Sequence, residues 1–186
     1  MTSIDLLALD RKDWQRVAED PIAFAEERKL VLGAEPDLFR AVGQQTVSLF
    51  ERTGVTGPPW SGYLAVDRVR DTIVGTCGFK APPDAEGVAE IAYFTFPGFE
   101  GQGCASAMAA GLVERGNKAA GVCRLRAHTL PERNASTRIL EKVGFERRGE
   151  IIDPEDGVIW RWEREPLSGS SSSTSARRQT AGGDRS

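Results

Sequence analysis

The sequence is poor in the residues that build disulfide frameworks and metal centres. Its three cysteines, Cys77, Cys104 and Cys123, lie far apart in the 186-residue chain and never form a CxxC pair. This pattern argues against a disulfide framework or a structural zinc site and favours a reducing compartment. His128 is the only histidine, which excludes a site built from several histidines. We therefore expect no metal cofactor.

Long apolar runs and an excess of basic charge are also missing. No apolar run approaches the ~18 residues of a membrane span, and the N-terminal segment lacks the basic start and apolar stretch of a signal peptide. The net charge is −3, whereas nucleic-acid-binding proteins usually carry a basic excess. These absences predict a cytoplasmic protein that binds neither membranes nor nucleic acid.

The composition changes once, near Pro166. Of the 20 residues at positions 167–186, twelve are Ser, Thr or Gly, and a segment so poor in apolar side chains cannot offset its ordering entropy. We expect one folded domain over residues 1–166 and a disordered Ser/Gly-rich tail over 167–186. The tail carries a charge of +2, which leaves −5 on the domain. A passive extension is favoured over a tail that binds anions.

Within the domain, hydrophobic periodicity predicts helices first and strands later. The predicted helical segments are 10–30 (split at Pro21), 37–53, 102–116 and 133–143. The predicted strands are 60–67, 72–80, 87–96, 121–128, 145–152 and 158–164. An antiparallel meander followed by alternating strands and helices indicates a mixed α/β or α+β protein rather than a doubly wound parallel sheet.

The segment 90–113 is the most informative. An extended strand ends near Pro97, and Gly101-Gln102-Gly103 leads directly into an alanine-rich helix. Glycines allow close approach of a ligand, and the unpaired N–H groups of a first helical turn attract anions such as pyrophosphate. A turn that only packs tightly would look the same. No Gly-Lys-Ser/Thr follows and the third glycine of the dinucleotide fingerprint is missing.

A second segment, 127–149, has polar groups at the start of a helix. A strand ends at His128, Asn134 and Ser136 lie in the first helical turn, and Gly144 is placed to end the helix.

Together the two segments resemble the GNAT superfamily of acyl-CoA-dependent N-acyltransferases, and are most similar to its branch of ribosomal-protein N-terminal acetyltransferases (RimJ/RimL-like). The resemblance spans about residues 60–162 and rests on EIAYFTFP, EGQGCAS and NASTRILEKVGF. It implies a three-layer α+β fold with a central, mostly antiparallel sheet of about six to seven strands and helices on both faces. Residues 1–56 would shape the acceptor side, and residues 57–166 would form the core that binds acetyl-CoA.

The chain departs from the family pattern at three positions. Glu100 stands where the loop usually has Arg or Gln, and Arg133 stands where the family often has Asn. Leu140 occupies the position of a tyrosine that protonates the leaving thiolate in many members. The only tyrosines of this chain are Tyr63 and Tyr93.

The resemblance assigns the acetyl-CoA contacts to three places. The strand edge at Phe94, Thr95 and Phe96 would supply the backbone donor for the oxyanion and pair with the pantetheine arm. Asn134 would contact the pantetheine. The backbone amides of the loop and helix start would hold the pyrophosphate, and the residues concerned are Gly101, Gln102, Gly103, Cys104, Ala105 and Ser106.

The candidate catalytic residues are Glu90 and Ser136. Glu90, in an otherwise apolar strand, would act as the base through a water molecule; a structural carboxylate bound to backbone amides is the alternative. Ser136 would donate a proton near the sulfur, and helix capping is its alternative. His128 could also act as a base, but a packing or hydrogen-bonding role is favoured.

Cys104 and Cys123 are expected to be buried packing residues. Trp160 and Trp162 alternate on one strand face, and we expect core packing before a role in lining the acceptor pocket.

The implied activity is direct transfer of an acetyl group from acetyl-CoA to a primary amine, either a peptide α-amine or a small molecule, by a monomer or homodimer. The domain charge of −5 mildly favours a cationic amine. A non-catalytic acyl-CoA-binding sensor or scaffold is the alternative. A dinucleotide-dependent enzyme would instead bind NAD.

Overall fold

The computed structural model describes residues 3–55 and 57–165. The predicted tail, 167–186, lies outside them. The helices are α1 (Arg11–Glu19), α2 (Pro21–Glu27), α3 (Pro36–Thr53), α4 (Cys104–Lys118) and α5 (Ala135–Lys142). The strands are β1 (Ile4–Ala8), β2 (Val31–Leu32), β3 (Tyr63–Asp67), β4 (Thr72–Phe79), β5 (Val88–Thr95), β6 (Arg124–Thr129), β7 (Glu146–Asp153) and β8 (Gly157–Arg164).

One sheet organises the described chain. Its strand order is β1-β3-β4-β5-β6-β8-β7, with β2 beside β4. Neighbours are antiparallel except for β5 with β6 and β2 with β4. The predicted mixed, mostly antiparallel sheet is confirmed. Strands β1 and β2 were not predicted from the sequence, because the β1 residues IDLLA do not alternate between apolar and polar and the two residues of β2 are too few to show a period.

Local sequence explains where the helices begin and end. Asp10 caps α1 and Asn134 caps α5, each in a reciprocal capping box. Asp20 caps α2, and Pro21 occupies its first turn, where the missing N–H costs nothing. The predicted break at Pro21 is therefore confirmed. Gly54 ends α3 in the left-handed conformation.

The helices cover both faces of the sheet and enclose two cores. One core lies beneath α4 and α5 and centres on Met108, Leu112 and Leu125. The other lies beneath α1, α2 and α3 and includes Phe39 and Phe96. This arrangement matches the expected three layers.

The sheet opens between β5 and β6. The two strands pair only over Val88–Glu90 and Arg124–Arg126, although β5 continues to Thr95 and remains paired with β4 through that residue. The outer half of β5 therefore presents a free backbone edge to a cleft.

Candidate active site at the splayed strands

The cleft between β5 and β6 contains a cavity of about 420 Å³. Glu90, His128 and Ser136, all singled out in the sequence, line it together with Tyr93. A second cavity of about 430 Å³ lies between α3 and strands β4 and β5. We call them the cleft cavity and the α3 cavity. Lys80, Ala92 and Tyr93 line both, so the two cavities are neighbours along β5.

Glu90 is held by two side chains in the cleft cavity. Its Oε1 forms an ion pair with the Lys80 ammonium and lies 2.9 Å from Nδ1 of His128. Neither partner is a backbone amide, so the alternative of a carboxylate bound to backbone amides does not describe these contacts. With 23 % of its side chain exposed, Glu90 remains accessible to water from the cavity.

His128 has the hydrogen-bonding role that the sequence favoured. Its Nδ1 contacts Glu90, and its Nε2 is buried without a hydrogen-bond partner among the described residues. A carboxylate beside one ring nitrogen fixes the orientation of the imidazole. The burial of Nε2 keeps that atom away from a reactant in the cavity, so His128 fits the role of a positioning residue.

Tyr93 and Ser136 both line the cleft cavity, and their hydroxyls lie near each other; we call them the hydroxyl pair. Burial raises the pKa of Tyr93 above its ordinary value, and the contact with Ser136 opposes this more weakly. Tyr93 therefore keeps its proton at neutral pH. Ser136 does not cap α5, because Asn134 does.

Tyr93 was not among the site residues predicted from the sequence. Leu140 stands where many members of the family have a tyrosine, and Tyr93 is one of only two tyrosines in the chain. Its position three residues after Glu90 is the sequence feature that could have identified Tyr93 as a site residue.

The free edge of β5 presents alternate backbone groups to the cleft. The Glu90 carbonyl accepts from the Lys80 amide, and the Phe96 amide donates to the Val74 carbonyl. In an antiparallel ladder, residues that bond to one neighbour alternate with residues that point away from it. Of the three predicted edge residues, Phe96 therefore uses its amide inside the sheet, and Thr95 directs its amide toward the cleft.

Thr95 also has a side-chain atom without a partner. Its Oγ1 is buried and makes no hydrogen bond within the described chain. Buried polar atoms are normally satisfied, and the described contacts do not explain why this hydroxyl is an exception.

The loop between β5 and α4 is closed by its own side chains. Gly98, Gly101 and Gly103 all have left-handed φ angles between 72° and 89°, which glycine adopts without strain. The Glu100 carboxylate accepts a hydrogen bond of 2.7 Å from the Gly98 amide, and the Gln102 amide donates to the Gly98 carbonyl. Glu100 thus shapes the loop in place of the usual Arg or Gln.

The first turn of α4 has the features of an anion site. The first intrahelical bond runs from the Ala107 amide to the Gly103 carbonyl, so the amides of Cys104, Ala105 and Ser106 precede it. No side chain caps this helix and its first turn contains no acidic residue. At the corresponding end of α5, Oδ1 of Asn134 accepts from Thr137 and is committed to the cap.

The remaining expectations have mixed outcomes. Cys104 is buried as predicted, but the prediction for Cys123 is wrong because this side chain is exposed. Cys123 lies just before β6, after the turn at Gly121 and not inside the strand.

Trp162 is buried and donates to Thr129, and Trp160 packs against the same core. Neither tryptophan lines the α3 cavity, but both line a separate cavity beside Arg133 and Arg147, so a pocket role stays open beside the packing that the contacts show.

Two other kinds of site are not found in the described residues. Within residues 3–55 and 57–165, no helix is both long and apolar enough to cross a membrane. Over the same ranges, no group of three or more His, Cys, Asp or Glu side chains is arranged to hold a metal ion.

Comparison with known proteins gives consistent matches. A family model described as "Acetyltransferase (GNAT) domain" matches residues 10–146. The "Uncharacterized N-acetyltransferase p20" of Bacillus licheniformis is 32 % identical over 93 residues, which is 50 % of this chain and 52 % of that protein. The chain thus aligns with about half the length of this curated relative.

Two solved structures share the fold. RimL, a ribosomal L7/L12 alpha-N-protein acetyltransferase in complex with coenzyme A, has a TM-score of 0.60 at 16 % identity, covering 89 % of this chain and 95 % of that chain. The aminoglycoside acetyltransferase AAC(6')-Ib in complex with coenzyme A has a TM-score of 0.60 at 19 % identity, covering 88 % and 95 %.

Proposed function

Because this chain belongs to the GNAT acetyltransferase family, we propose that it transfers an acetyl group from acetyl-CoA to a primary amine. The observation that carries the proposal is the opening between β5 and β6. It brings a carboxylate, a hydroxyl pair and a free backbone edge to one cavity, beside a helix start that has no cap.

Two regions of the chain fit acetyl-CoA. The amides of Cys104, Ala105 and Ser106, with the glycines at 101 and 103, would hold the pyrophosphate, since helix N-termini bind such anions. The free backbone edge at Thr95 would pair with the pantetheine arm. Phe94 and Phe96 pair with β4 and so hold this edge in place. Asn134 would contact the pantetheine through its side-chain NH₂ group alone, because its side-chain oxygen caps α5.

The residues of the cleft cavity, together with the free edge of β5 at Thr95, would provide the three functions that acyl transfer needs. Acetyl-CoA supplies an activated thioester. Glu90, held by Lys80 and His128, would accept the proton of the attacking amine through a water molecule. The Thr95 amide would stabilise the oxyanion, and Ser136, backed by Tyr93, would donate a proton to the departing thiolate. The C–N bond forms as the amine attacks the thioester carbonyl, and the resulting oxyanion collapses to break the C–S bond and release the thiolate of CoA, without a covalent enzyme intermediate.

The acceptor would reach this point from the α3 cavity, which shares the lining residues Lys80, Ala92 and Tyr93 with the cleft cavity. We propose a small-molecule amine or a peptide N-terminus as the acceptor and the cytoplasm as the location. Whether the protein acts as a monomer or homodimer stays a prediction.

Calorimetric titration with acetyl-CoA, CoA and NAD tests the proposal first. We expect saturable micromolar binding of acetyl-CoA and CoA and none of NAD, followed by acetyl transfer in an amine screen read by mass spectrometry. No binding at millimolar acetyl-CoA would refute the proposed function. Binding without transfer to any amine would instead favour the non-catalytic sensor.

Replacing Ser106 with Asp should weaken acetyl-CoA binding without unfolding the helix. A carboxylate in the first turn of α4 would repel the pyrophosphate but interact favourably with the helix dipole. We expect the Kd to rise about 5- to 30-fold, the range of 1–2 kcal/mol effects, with an unchanged or higher melting temperature. Ser106→Asn is the uncharged comparison. Equal Kd values for the two variants would place the pyrophosphate elsewhere.

Ser136→Ala removes the proposed proton donor to the leaving thiolate, and Tyr93→Phe removes the hydroxyl beside that donor. Each substitution should therefore lower kcat by about 10- to 100-fold. If the two hydroxyls act as one unit, the double variant should be little worse than the poorer single variant. Multiplicative losses in kcat would show that the hydroxyls act independently.

A further inference from the structure

The α3 cavity has an unusual lining for a site that receives amines. Its walls are mainly apolar and aromatic, with Trp14, Phe50, Trp60 and Phe94 contributing rings and α3 contributing aliphatic side chains. No Asp, Glu or Arg is among the lining residues, all of which belong to the described ranges. Lys80 is the one charged side chain there, and it lies where the cavity meets the cleft cavity.

The aromatic walls are rigid and present few polar groups. The indole N–H of Trp14 already donates to the Ser61 carbonyl at 2.5 Å, so it is not available to a ligand. Trp60 packs edge-on against Phe79, with ring centroids 5.0 Å apart. Phe94 packs similarly against Phe96 and leaves 44 % of its surface exposed. An exposed ring at a preformed apolar cavity gains free energy when an apolar ligand covers it.

The charge of the cavity opposes cationic acceptors. A polyamine or aminoglycoside held there would bring additional ammonium groups that meet no carboxylate on the walls. It would also bring them close to the Lys80 ammonium, which faces Glu90 at the junction. Burying an unpaired charge is costly, and like charges add repulsion. The negative charge of the domain as a whole therefore does not extend to the cavity.

We propose that the α3 cavity selects an acceptor with a single amine on an apolar or aromatic body and rejects polycationic amines. The inference rests on the proposed acetyl transfer and specifies its substrate class. The amine would reach Glu90 at the junction of the cavities, and the apolar body would lie against the rings of the α3 cavity.

Binding in the absence of acetyl-CoA tests the inference separately from activity. The full chain is titrated with phenethylamine and with spermidine by calorimetry. We expect phenethylamine to bind at least about 10-fold more tightly, since covering one aromatic ring supplies that much. Tighter binding of spermidine, or no saturable binding of phenethylamine, would overturn the inference.

A matched pair of variants on α3 shows whether the binding occurs in this cavity. Gln45 is exposed and lines the α3 cavity, whereas its neighbour Gln44 is exposed and does not. Gln45→Glu places a carboxylate at the cavity, which the additional ammonium groups of spermidine can reach while the amine of either ligand lies at Glu90. The affinity for spermidine relative to phenethylamine should therefore rise about fivefold, the upper range for an exposed ion pair. Gln44→Glu adds the same charge elsewhere and should leave this ratio within about twofold.

The two readouts separate the possible failures. Equal effects of Gln44→Glu and Gln45→Glu on the affinity ratio would show that amines bind outside the cavity and would overturn the inference. Selective binding of phenethylamine with no acetyl transfer to any amine would support the selectivity of the cavity and refute the proposed acetyl transfer.

Discussion

Replacement of Glu90 by Gln is expected to lower kcat for acetyl transfer by about 10²- to 10⁴-fold, the usual contribution of a positioned base. The amide keeps the size of the side chain and can still contact Lys80, but it cannot accept a proton. Steady-state kinetics with an accepted amine measure the effect. The Kd for acetyl-CoA should change little, because Glu90 lies on β5 away from the loop at 101–106.

The pH profile distinguishes a base from a structural carboxylate. Without the base, the variant must rely on amine that is already deprotonated, so its activity should keep rising with pH toward the pKa of the acceptor. Glu86→Gln, at an exposed position in the turn before β5, is the control and should behave like the unmodified protein. If the pH profile of the Glu90→Gln variant had the same shape as that of the unmodified protein, with activity lower by one constant factor at every pH, the assignment of Glu90 as the base would be contradicted.

Replacement of Phe39 by Ala is expected to lower the free energy of unfolding by about 3–5 kcal/mol, the range for a buried aromatic side chain. Phe39 is fully buried and packs edge-on against Phe24 of α2 and Phe96, with ring centroids 6.4 and 5.7 Å away. The ring therefore joins two helices to the end of β5. Urea unfolding followed by circular dichroism measures the loss.

Phe94→Ala provides the matched comparison for Phe39. Phe94 packs against the same Phe96 at 5.8 Å but is 44 % exposed, so its removal should cost about 1 kcal/mol, as for a single aromatic pair. A loss of only about 1 kcal/mol for Phe39→Ala, equal to that expected for Phe94→Ala, would mean that the core beneath α1, α2 and α3 does not depend on Phe39.

The family and most of the elements could be predicted from local sequence. The glycine pair at 101 and 103 and the apolar stripe of α4 are local patterns, as is the break at Pro21. Hydrophobic period and backbone preference depend on residues a few positions apart, so a single sequence contains them. The short strands β1 and β2 could not be found this way, because they are held in place by β3 and β4.

The partners of the candidate catalytic residues required the fold. Glu90 and His128 are 38 positions apart in the chain, and they meet because β5 and β6 begin as parallel neighbours. Tyr93 lies on β5 and Ser136 on α5, and no spacing rule connects them. The exposure of Cys123 likewise depends on where β6 starts, which is set by pairing with β5 and β8.

The sequence by itself determined the class of fold, the family and the loop that fits an anion, because each follows from residues that are close together along the chain. The tertiary structure alone decided which backbone amide faces the cleft, what holds Glu90, and that the α3 cavity contains no carboxylate among its described lining residues. These properties arise from strand pairing and from the packing of α3 over the sheet, which bring together residues that are distant in the chain.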